Sequence, residues 1–284
     1  MEDIGGTNYI SQKTFLNDQG TISYTDVSYF NEMGYLEQTI ANQATSTGKD
    51  IVTPVIYDNM WRSEASEYLP YARASSTSRY VPNAVAEQAE YYENHYEEEG
   101  GAPFISRKYE TGPSGRILSQ QREGMTYESN AIKARYNYHI NDGSERVLRL
   151  KYTHPTESSA ATVNNCGEYG PEALFYTTTI SEDNDTSYLF TNQRGQMILS
   201  RQINQGQNLD TYFIYDLRDS LVCVIQPQGV SSIGNSFTFS DDLVHDFCFT
   251  YKYDAFGNLI EKHVPGAGVE MMAYDLRGRL IVAT

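Results

Sequence analysis

Apolar residues alternate with polar residues in short runs along most of the chain, and many of these runs end at a small polar turn. The clearest run is Phe247 to Tyr253, in which aromatic residues occupy every second position. Because successive strand residues point to opposite faces, this run predicts a β-strand with one aromatic face. Comparable runs recur along the sequence, so the pattern predicts a mainly β protein of antiparallel hairpins.

The last two turns share one sequence pattern and predict a repeated hairpin unit. Tyr253-Asp254-Ala-Phe-Gly257-Asn-Leu is followed, after a second apolar run, by Tyr274-Asp275-Leu-Arg-Gly278-Arg279-Leu. Gly257 and Gly278 can take the positive φ of a tight turn, and Asp254 and Asp275 can brace it by accepting backbone N–H groups. Arg279 is placed to pair with Asp275. A repeated unit of this kind must stack on its neighbours to bury its apolar face.

Earlier turns extend the same pattern toward the middle of the chain. Gly195, Asp216 and Asp219 mark two of them, and Asp219 stands where glycine is usual. Aspartate can occupy the left-handed region at modest cost. The stretch 227–242 is rich in Ser and Gly and predicts an exposed excursion. We expect an N-terminal β region over residues 1–170 and repeat hairpins over 171–284, which continue the same sheet as a second domain or as one continuous domain.

Three hairpins are predicted in the first part of the chain, at residues 8–22, 27–39 and 51–63. In the third, Trp61 stands at the glycine position of the turn. Tryptophan does not adopt positive φ cheaply, so we expect this loop to take another shape. Trp61, the only tryptophan of the chain, and Tyr57 are candidate ligand contacts. The alternative is that the aromatic ring packs over the sheet.

One short helix is predicted near residues 83–96, with Asn83 as its N-cap. Its predicted buried stripe consists of Val85, Ala89, Tyr92 and Tyr96. Farther along, Asn141-Asp-Gly-Ser144 separates two alternating runs and predicts a hairpin between them. Residues 154–170 show no periodicity and predict a loop.

The Tyr-Asp-x-x-Gly-Arg-Leu unit resembles the YD repeat of bacterial RHS-repeat proteins. Upstream segments resemble the uncharacterised domain that precedes such repeats; they include Tyr29–Thr39, Glu67–Tyr71 and Gly112–Leu118. This resemblance implies a large curved sheet or partial β-shell that encloses or presents a C-terminal effector, often a toxin. It also implies secretion or display at the cell surface, with the remainder of its own chain as the principal partner.

The charge of the chain argues against two classes of partner. Its net charge is -16, with 21 Lys and Arg against 37 Asp and Glu. Nucleic acids and anionic membrane surfaces both reward clustered basic residues, so we expect neither as a partner. No apolar run is long enough to span a bilayer. The acidic start, Met-Glu-Asp-Ile-Gly-Gly, has no apolar core of a signal peptide, so we expect this segment to carry none.

No motif in the sequence predicts catalysis, a metal site or a cofactor. The five His residues show no ligand spacing, and Glu182-Asp-Asn-Asp185 lacks the order of a calcium loop, so it predicts a hairpin turn. His245 lies beside Asp242 and Asp246, on an expected strand where neighbours face opposite ways. In so acidic a chain, two carboxylates at glycosidase spacing could arise by chance, which leaves a carboxylate-based hydrolase as a remote alternative.

The three cysteines, Cys166, Cys223 and Cys248, cannot all pair within one chain, and none has C-x-x-C spacing. Cys223 and Cys248 lie in apolar runs, where they are either buried free thiols or a bridge between hairpins. The sequence leaves both possibilities open.

The leading functional hypothesis is a non-enzymatic structural segment of an RHS-repeat protein. The alternative is a module that binds carbohydrate or a cell-surface partner through exposed Tyr and Trp. The composition keeps this alternative open, because 24 Tyr against 11 Phe favours half-exposed aromatic surfaces. Inward-packed rings would favour the structural segment, whereas an exposed cluster near Trp61 would favour binding.

Overall fold

The computed structural model describes residues 8–73, 75–96, 102–239 and 241–284; the acidic start, Met-Glu-Asp-Ile-Gly-Gly, lies outside them. The protein is mainly β, with large antiparallel sheets and few helices, as the alternating pattern predicts. It divides into two compact units, the first ending at Arg135 and the second spanning Tyr136–Thr284. The division at 170/171 concerns where the sequence repeats begin, and it stays a prediction.

The first unit contains two antiparallel sheets. One has the order β1 (Asn8–Phe15), β2 (Ser23–Phe30), β3 (Leu36–Ala41), β4 (Ile51–Pro54) and β6 (Tyr71–Ala72). In the other, β7 (Phe104–Tyr109) lies between β5 (Ser66–Tyr68) and β8 (Ile117–Gln121), and β8 pairs with the start of β9 (Ala134–Ile140). The predicted hairpins at 8–22 and 27–39 are β1–β2 and β2–β3. The third is reduced to one bridge, Val55 to Glu67, which encloses a short 3-10 helix, Ser63–Ala65.

The predicted helix is α1 (Ala84–His95), and α2 (Met125–Ser129) adds one more turn. Asn83 occupies the N-cap position of α1 without a side-chain cap. The predicted buried stripe is wrong except for Tyr92, because the helix buries Ala84, Gln88 and Tyr92. The Gln88 amide donates to the carbonyls of Leu69 and Pro103, at 2.5 and 3.1 Å, and these bonds draw a polar residue inside. The core of this unit lies between α1 and the first sheet; it includes Val27, Tyr29, Ile40, Val52, Val81 and Ala84.

Most strands of the second unit follow one another in the sheet in chain order. The row begins with β9 and continues through β12 (Leu174–Ile180), β13 (Thr186–Asn192), β14 (Met197–Asn204), β15 (Gln207–Tyr215) and β16 (Leu221–Ile225). It ends with β18 (Cys248–Tyr253), β19 (Leu259–Val264), β20 (Gly268–Tyr274) and β21 (Leu280–Ala283). Neighbouring strands such as β13 and β14 are antiparallel, so this row is a series of hairpins.

A separate three-stranded sheet does not follow this chain order, and it shows that two predictions are wrong. It consists of β10 (Leu148–Thr153), β11 (Thr162–Glu168) and β17 (Ser236–Thr238). Residues 154–170 are therefore not a plain loop. The stretch 227–242 is not simply an exposed excursion either, because it forms α3 (Pro227–Val230) and β17 and begins α4 (Asp242–Phe247). Its Phe237 and the following Val244 are buried in the core, which a count of Ser and Gly does not reveal.

The hairpin predicted around Asn141 is wrong, since β9 and β10 pair with different strands. Asn141 is almost fully buried and binds Leu174 instead: its N–H donates to the Leu174 carbonyl, and its Oδ1 accepts from the Leu174 N–H at 2.7 Å. Its side-chain amide also donates to the Gly170 carbonyl at 2.9 Å. These bonds hold Asn141 against the start of β12, so residues 141–144 do not form a hairpin turn between β9 and β10.

The core of the second unit lies between its long row of strands, the three-stranded sheet and the segment that carries α3 and α4. Its buried members include Val147, Val163, Leu174, Phe190, Leu199, Tyr212, Ile225 and Phe237. None of the helices in the described part of the chain is long and apolar enough to cross a membrane.

Candidate functional sites: a repeated turn and an aromatic platform

Six five-residue loops in the described part of the chain share one set of hydrogen bonds. They begin at Asn31, Asp58, Asn192, Asp216, Asp254 and Asp275. In each loop, the N–H of the first residue donates to the carbonyl of the fifth, and the N–H of the fourth donates to the carbonyl of the first. The side-chain Oδ1 of the first residue accepts from the N–H groups of the third and fifth residues, at 2.8–3.0 Å. The first side chain thus organises the whole loop.

The fourth residue of each shared loop has a positive φ. The values are +83° at Gly34, +59° at Trp61, +79° at Gly195, +64° at Asp219, +87° at Gly257 and +72° at Gly278. The expectation that Trp61 forces another loop shape is therefore wrong. Left-handed backbone costs a residue with a side chain about 1–2 kcal/mol. The four hydrogen bonds of the loop hold Trp61 there against that cost.

The residues proposed from the repeat pattern all lie in these loops. Asp216, Asp254 and Asp275 are first residues, while Gly195, Gly257 and Gly278 are fourth residues. Arg279 closes the last loop, and its Nε donates to Asp275 Oδ2 at 2.8 Å.

Two of the turn carboxylates, Asp254 and Asp275, are stabilised in their charged form. The backbone N–H and guanidinium of Arg279 lower the pKa of Asp275, and the Asn258 amide lowers the pKa of Asp254. Backbone and side-chain donors bind these carboxylates, so the role of the carboxylates is to stabilise the turn. The bracing role of Asn31, Asp58 and Asn192 was not predicted, although Trp61 was placed at the glycine position of its turn. The Asn-x-x-Gly spacing of two of these loops could have indicated it.

A second feature, which we call the aromatic platform, consists of Tyr35, Tyr57 and Trp61. Tyr35 and Trp61 are stacked, with ring centroids 4.7 Å apart and planes at 24°. The centroid of Tyr57 lies 5.9 Å from that of Trp61 and 5.6 Å from that of Tyr35. Trp61 is 50% exposed and Tyr35 is 40% exposed. The structure thus brings the two predicted ligand contacts together and adds Tyr35, which sequence spacing did not indicate.

Polar groups adjoin the aromatic platform. Arg62 follows Trp61 directly, and its Nε and Nη2 lie 2.8 and 2.6 Å from Asp58 Oδ2. This guanidinium lowers the pKa of the Asp58 carboxyl and also lies over the Tyr109 ring, 4.2 Å from its centroid. Both side chains of the ion pair remain about a quarter exposed, at 28% and 24%. The platform therefore has an anchored, solvent-accessible charged pair beside it.

A cavity of about 690 Å³ lies in the second unit beside two of the shared loops. Its apolar lining includes Tyr152, Phe239 and Tyr251, and Asp216 and Asp254 contribute to its wall. Burial raises the pKa of the Tyr152 and Tyr251 hydroxyls, which keeps them neutral. The two aspartates accept backbone N–H groups within their own turns, and Arg218 and Lys252 also line the cavity, so its wall is mixed apolar and charged.

Other residues considered for chemistry lie in different surroundings. His245 and Asp246 belong to α4 and not to a strand, and their side chains are exposed, with His245 Nδ1 and Asp246 Oδ1 2.8 Å apart. Glu182–Asp185 lies in the turn between β12 and β13. The cysteines are free, with Cys166 exposed and Cys223 and Cys248 buried. In the ranges that the structure describes, no cluster of His, Cys, Asp and Glu could hold a metal ion.

Comparison with known proteins finds one family match over part of the chain and several solved structures of similar fold. Residues 6–140 match a family described as "Domain of unknown function (DUF6443)". No curated protein matches the chain. Two of the solved structures that share its fold are "Crystal Structure of TcdB2-TccC3 without hypervariable C-terminal region" and "Structure of Photorhabdus luminescens Tc holotoxin pore, Mutation TccC3-D651A".

These likenesses are structural and distant. The first structure has a TM-score of 0.54 at 16% identity, over 97% of this chain and 12% of that one. The second has a TM-score of 0.53 at 14% identity, over 98% of this chain and 12% of that one. At such identities the likeness shows the fold alone. The family match covers most of the region where the sequence resembles an uncharacterised N-terminal domain.

Proposed function

We propose that this chain is a non-enzymatic wall segment of an RHS-type β-shell, which encloses or presents an effector carried by the rest of its own chain. The observation that carries the proposal is the recurrence of one braced loop at the ends of hairpins that follow one another in the sheet. A wall built this way grows by addition of hairpins and needs no catalytic residue. The shared fold with parts of Tc toxin assemblies supports the same role in a secreted or surface-displayed, toxin-related protein.

The outer edge of β21 supports continuation of the wall. In the part of the chain that the structure describes, β21 pairs with β20 and with no second strand. Leu280, Ile281 and Val282 are 55%, 63% and 48% exposed, and Val269 and Met271 of β20 are also exposed. An exposed apolar edge strand is a template for another strand. We propose that a further hairpin pairs here and covers these side chains.

Hydrogen exchange at β21 tests this proposal. The protein purified from its natural source, in its native assembly, is compared with the isolated 284-residue chain. We expect β21 amides that do not pair with β20 to exchange rapidly in the isolated chain and slowly in the natural protein. Amides of β13 and β14, which are paired on both sides, serve as the internal reference. Rapid exchange at β21 in both samples would overturn the proposed continuation of the wall.

A further inference from the structure

We propose that the aromatic platform formed by Tyr35, Tyr57 and Trp61 binds a neutral carbohydrate by stacking on the apolar face of a pyranose ring. Aromatic rings offer broad apolar faces at low conformational cost, and a few polar groups beside them fix the orientation of a ligand. This recognition site is separate from the wall function and does not depend on it.

The first argument compares two loops of identical shape. The loops beginning at Asn31 and Asp58 have the same hydrogen bonds, yet one has Gly34 at the positive-φ position and the other has Trp61. The turn therefore does not require tryptophan, and a glycine would form it without strain. Backbone strain of this kind is concentrated at functional sites. Since the indole is 50% exposed, burial in the core does not account for Trp61 either.

The second argument concerns the arrangement of the rings. The stacking of Tyr35 on Trp61, at 4.7 Å and 24°, fixes the indole, while half of its surface stays accessible to solvent. Tyr57 stands at 47° to the indole and gives the platform a side wall. Binding of a ligand to this surface costs little conformational entropy in the protein, because the rings are already held in place.

The third argument concerns the polar groups available to sugar hydroxyls. Arg62 and Asp58 lie in the same loop as Trp61 and are partly exposed. A guanidinium has five N–H donors, and the Nε and Nη2 contacts to Asp58 use only part of them. The remaining donors and the phenolic hydroxyls of Tyr35 and Tyr57 can bind hydroxyl groups around a stacked ring.

Charge and size separate carbohydrate from other ligands that stack on aromatic rings. Nucleic acid carries phosphates that a chain of net charge -16, with no run of four or more basic residues, would repel. The same repulsion disfavours an anionic membrane surface. A stable protein interface buries on the order of 1,200–2,000 Å², far more than three rings supply. A gluco-configured pyranose fits, because its equatorial hydroxyls leave C–H groups on both faces of the ring.

The experiment uses Trp61 as its own probe, since it is the only tryptophan. The 284-residue chain is titrated with cellohexaose and with chitohexaose while tryptophan fluorescence is recorded, and isothermal titration calorimetry measures the same affinities. A glycan array extends the search to other sugars. We expect a saturable change of Trp61 emission with a sugar that calorimetry also shows to bind.

Two variants make the result specific. Trp61→Gly gives the loop the residue that Gly34 supplies in its counterpart, so the fold is retained, and calorimetry should show affinity weakened by about tenfold or more. Met60→Ala alters an exposed neighbour in the same loop, 66% exposed, and should bind as the unaltered chain does. The proposal is wrong if no sugar on the array binds, or if Trp61→Gly binds as tightly as the unaltered chain.

Discussion

Arg201 and Asp210 face each other across β14 and β15 and form two parallel hydrogen bonds in a nearly buried setting. Nε donates to Oδ1 at 2.7 Å and Nη2 donates to Oδ2 at 2.8 Å, while Nη1 donates to the Glu145 carbonyl at 2.7 Å. The hydrogen bonds that Arg201 donates to Asp210 raise the pKa of Arg201, so the guanidinium stays charged. Asp210→Ala should leave a buried cation without its anion and lower the free energy of unfolding by about 3–5 kcal/mol, measured by urea denaturation.

The matched control replaces both charges, as in Arg201→Met with Asp210→Leu. Its loss of stability should be smaller than that of Asp210→Ala, because no charge is then left buried alone. A loss below about 1 kcal/mol for Asp210→Ala would contradict a role for the ion pair in the core.

Gly257 tests the conformational requirement of the shared loop. A Cβ at this position would meet no atom within 4 Å, so the positive φ of +87° is the only obstacle to a side chain. Gly257→Ala should therefore cost about 1–2 kcal/mol of unfolding free energy. Gly234→Ala is the control, since Gly234 also has open space but no left-handed φ, and it should be neutral or slightly stabilising. Equal effects of the two changes on the thermal melting temperature would refute the argument.

Asp216 tests the brace formed by the first residue of the loop. Its Oδ1 accepts from the N–H groups of Arg218 and Ser220, at 2.8 and 2.9 Å. Asp216→Ala removes both bonds and should lower the unfolding free energy by about 1–2 kcal/mol. Asp216→Asn keeps the acceptor oxygen, as Asn31 and Asn192 do in their own loops, so it should stay within about 0.5 kcal/mol of the parent. The unfolding free energies of both variants are measured by chemical denaturation. Equal values for the two variants would contradict the role of the Asp216 acceptor oxygen.

Glu110 should make the stability of the first unit depend on acid pH. Hydrogen bonds from Arg116 and then from Ser114 lower the pKa of Glu110 from 4.5 to about 2. A lowered folded-state pKa means that the contribution is fully present above pH 4.5 and is lost as the pH falls toward about 2. The stability difference between the parent and Glu110→Gln should therefore shrink as the pH is lowered through this range. A difference that does not change with pH in urea titrations would show that ionised Glu110 contributes nothing.

The three cysteines should differ sharply in their reactivity toward a disulfide reagent such as dithiobis(nitrobenzoate). Cys166 is exposed, whereas Cys223 and Cys248 are buried, and hydrogen bonding to Cys248 together with burial raises the pKa of Cys223. Because the thiolate is the reactive form, the native protein should titrate one thiol rapidly and the denatured protein all three. In Cys166→Ser the rapid native reaction should disappear; if it persists, one of the buried thiols is accessible.

Much of the β architecture could be predicted from alternation, because strands such as β13 and β14 pair with their neighbours in sequence. The hairpin at Asn141 could not be assigned correctly, since the decisive partner, Leu174, is remote in sequence. The buried face of α1 was predicted from hydrophobicity, yet Gln88 is buried for its hydrogen bonds to Leu69 and Pro103. In both cases, satisfaction of buried polar groups overrode the local pattern.

The candidate sites were partly accessible from the sequence for a similar reason. Asp254 and Asp275 allowed the loop to be predicted, because each lies at the same distance before a glycine. Trp61 could be placed at the glycine position of its turn, but its conformation was predicted wrongly, since residue preference alone ignores the hydrogen bonds that hold the loop. Its stacking on Tyr35 could not be foreseen, because it requires the turn between β2 and β3 to meet the loop that begins at Asp58.

The return of β17 to β11 has a consequence for the order in which the second unit folds. Hairpins between sequence neighbours close short loops, whereas the bond from the Asn165 amide to the Gly234 carbonyl joins residues 69 positions apart. Closing the longer loop costs more chain entropy. We therefore expect it to occur after the intervening strands have formed. In a refolding experiment with pulsed hydrogen exchange, we expect amides of β13 and β14 to gain protection first. Amides that join β11 to β17 should gain protection last, so formation of the three-stranded sheet is the final step in folding of the unit.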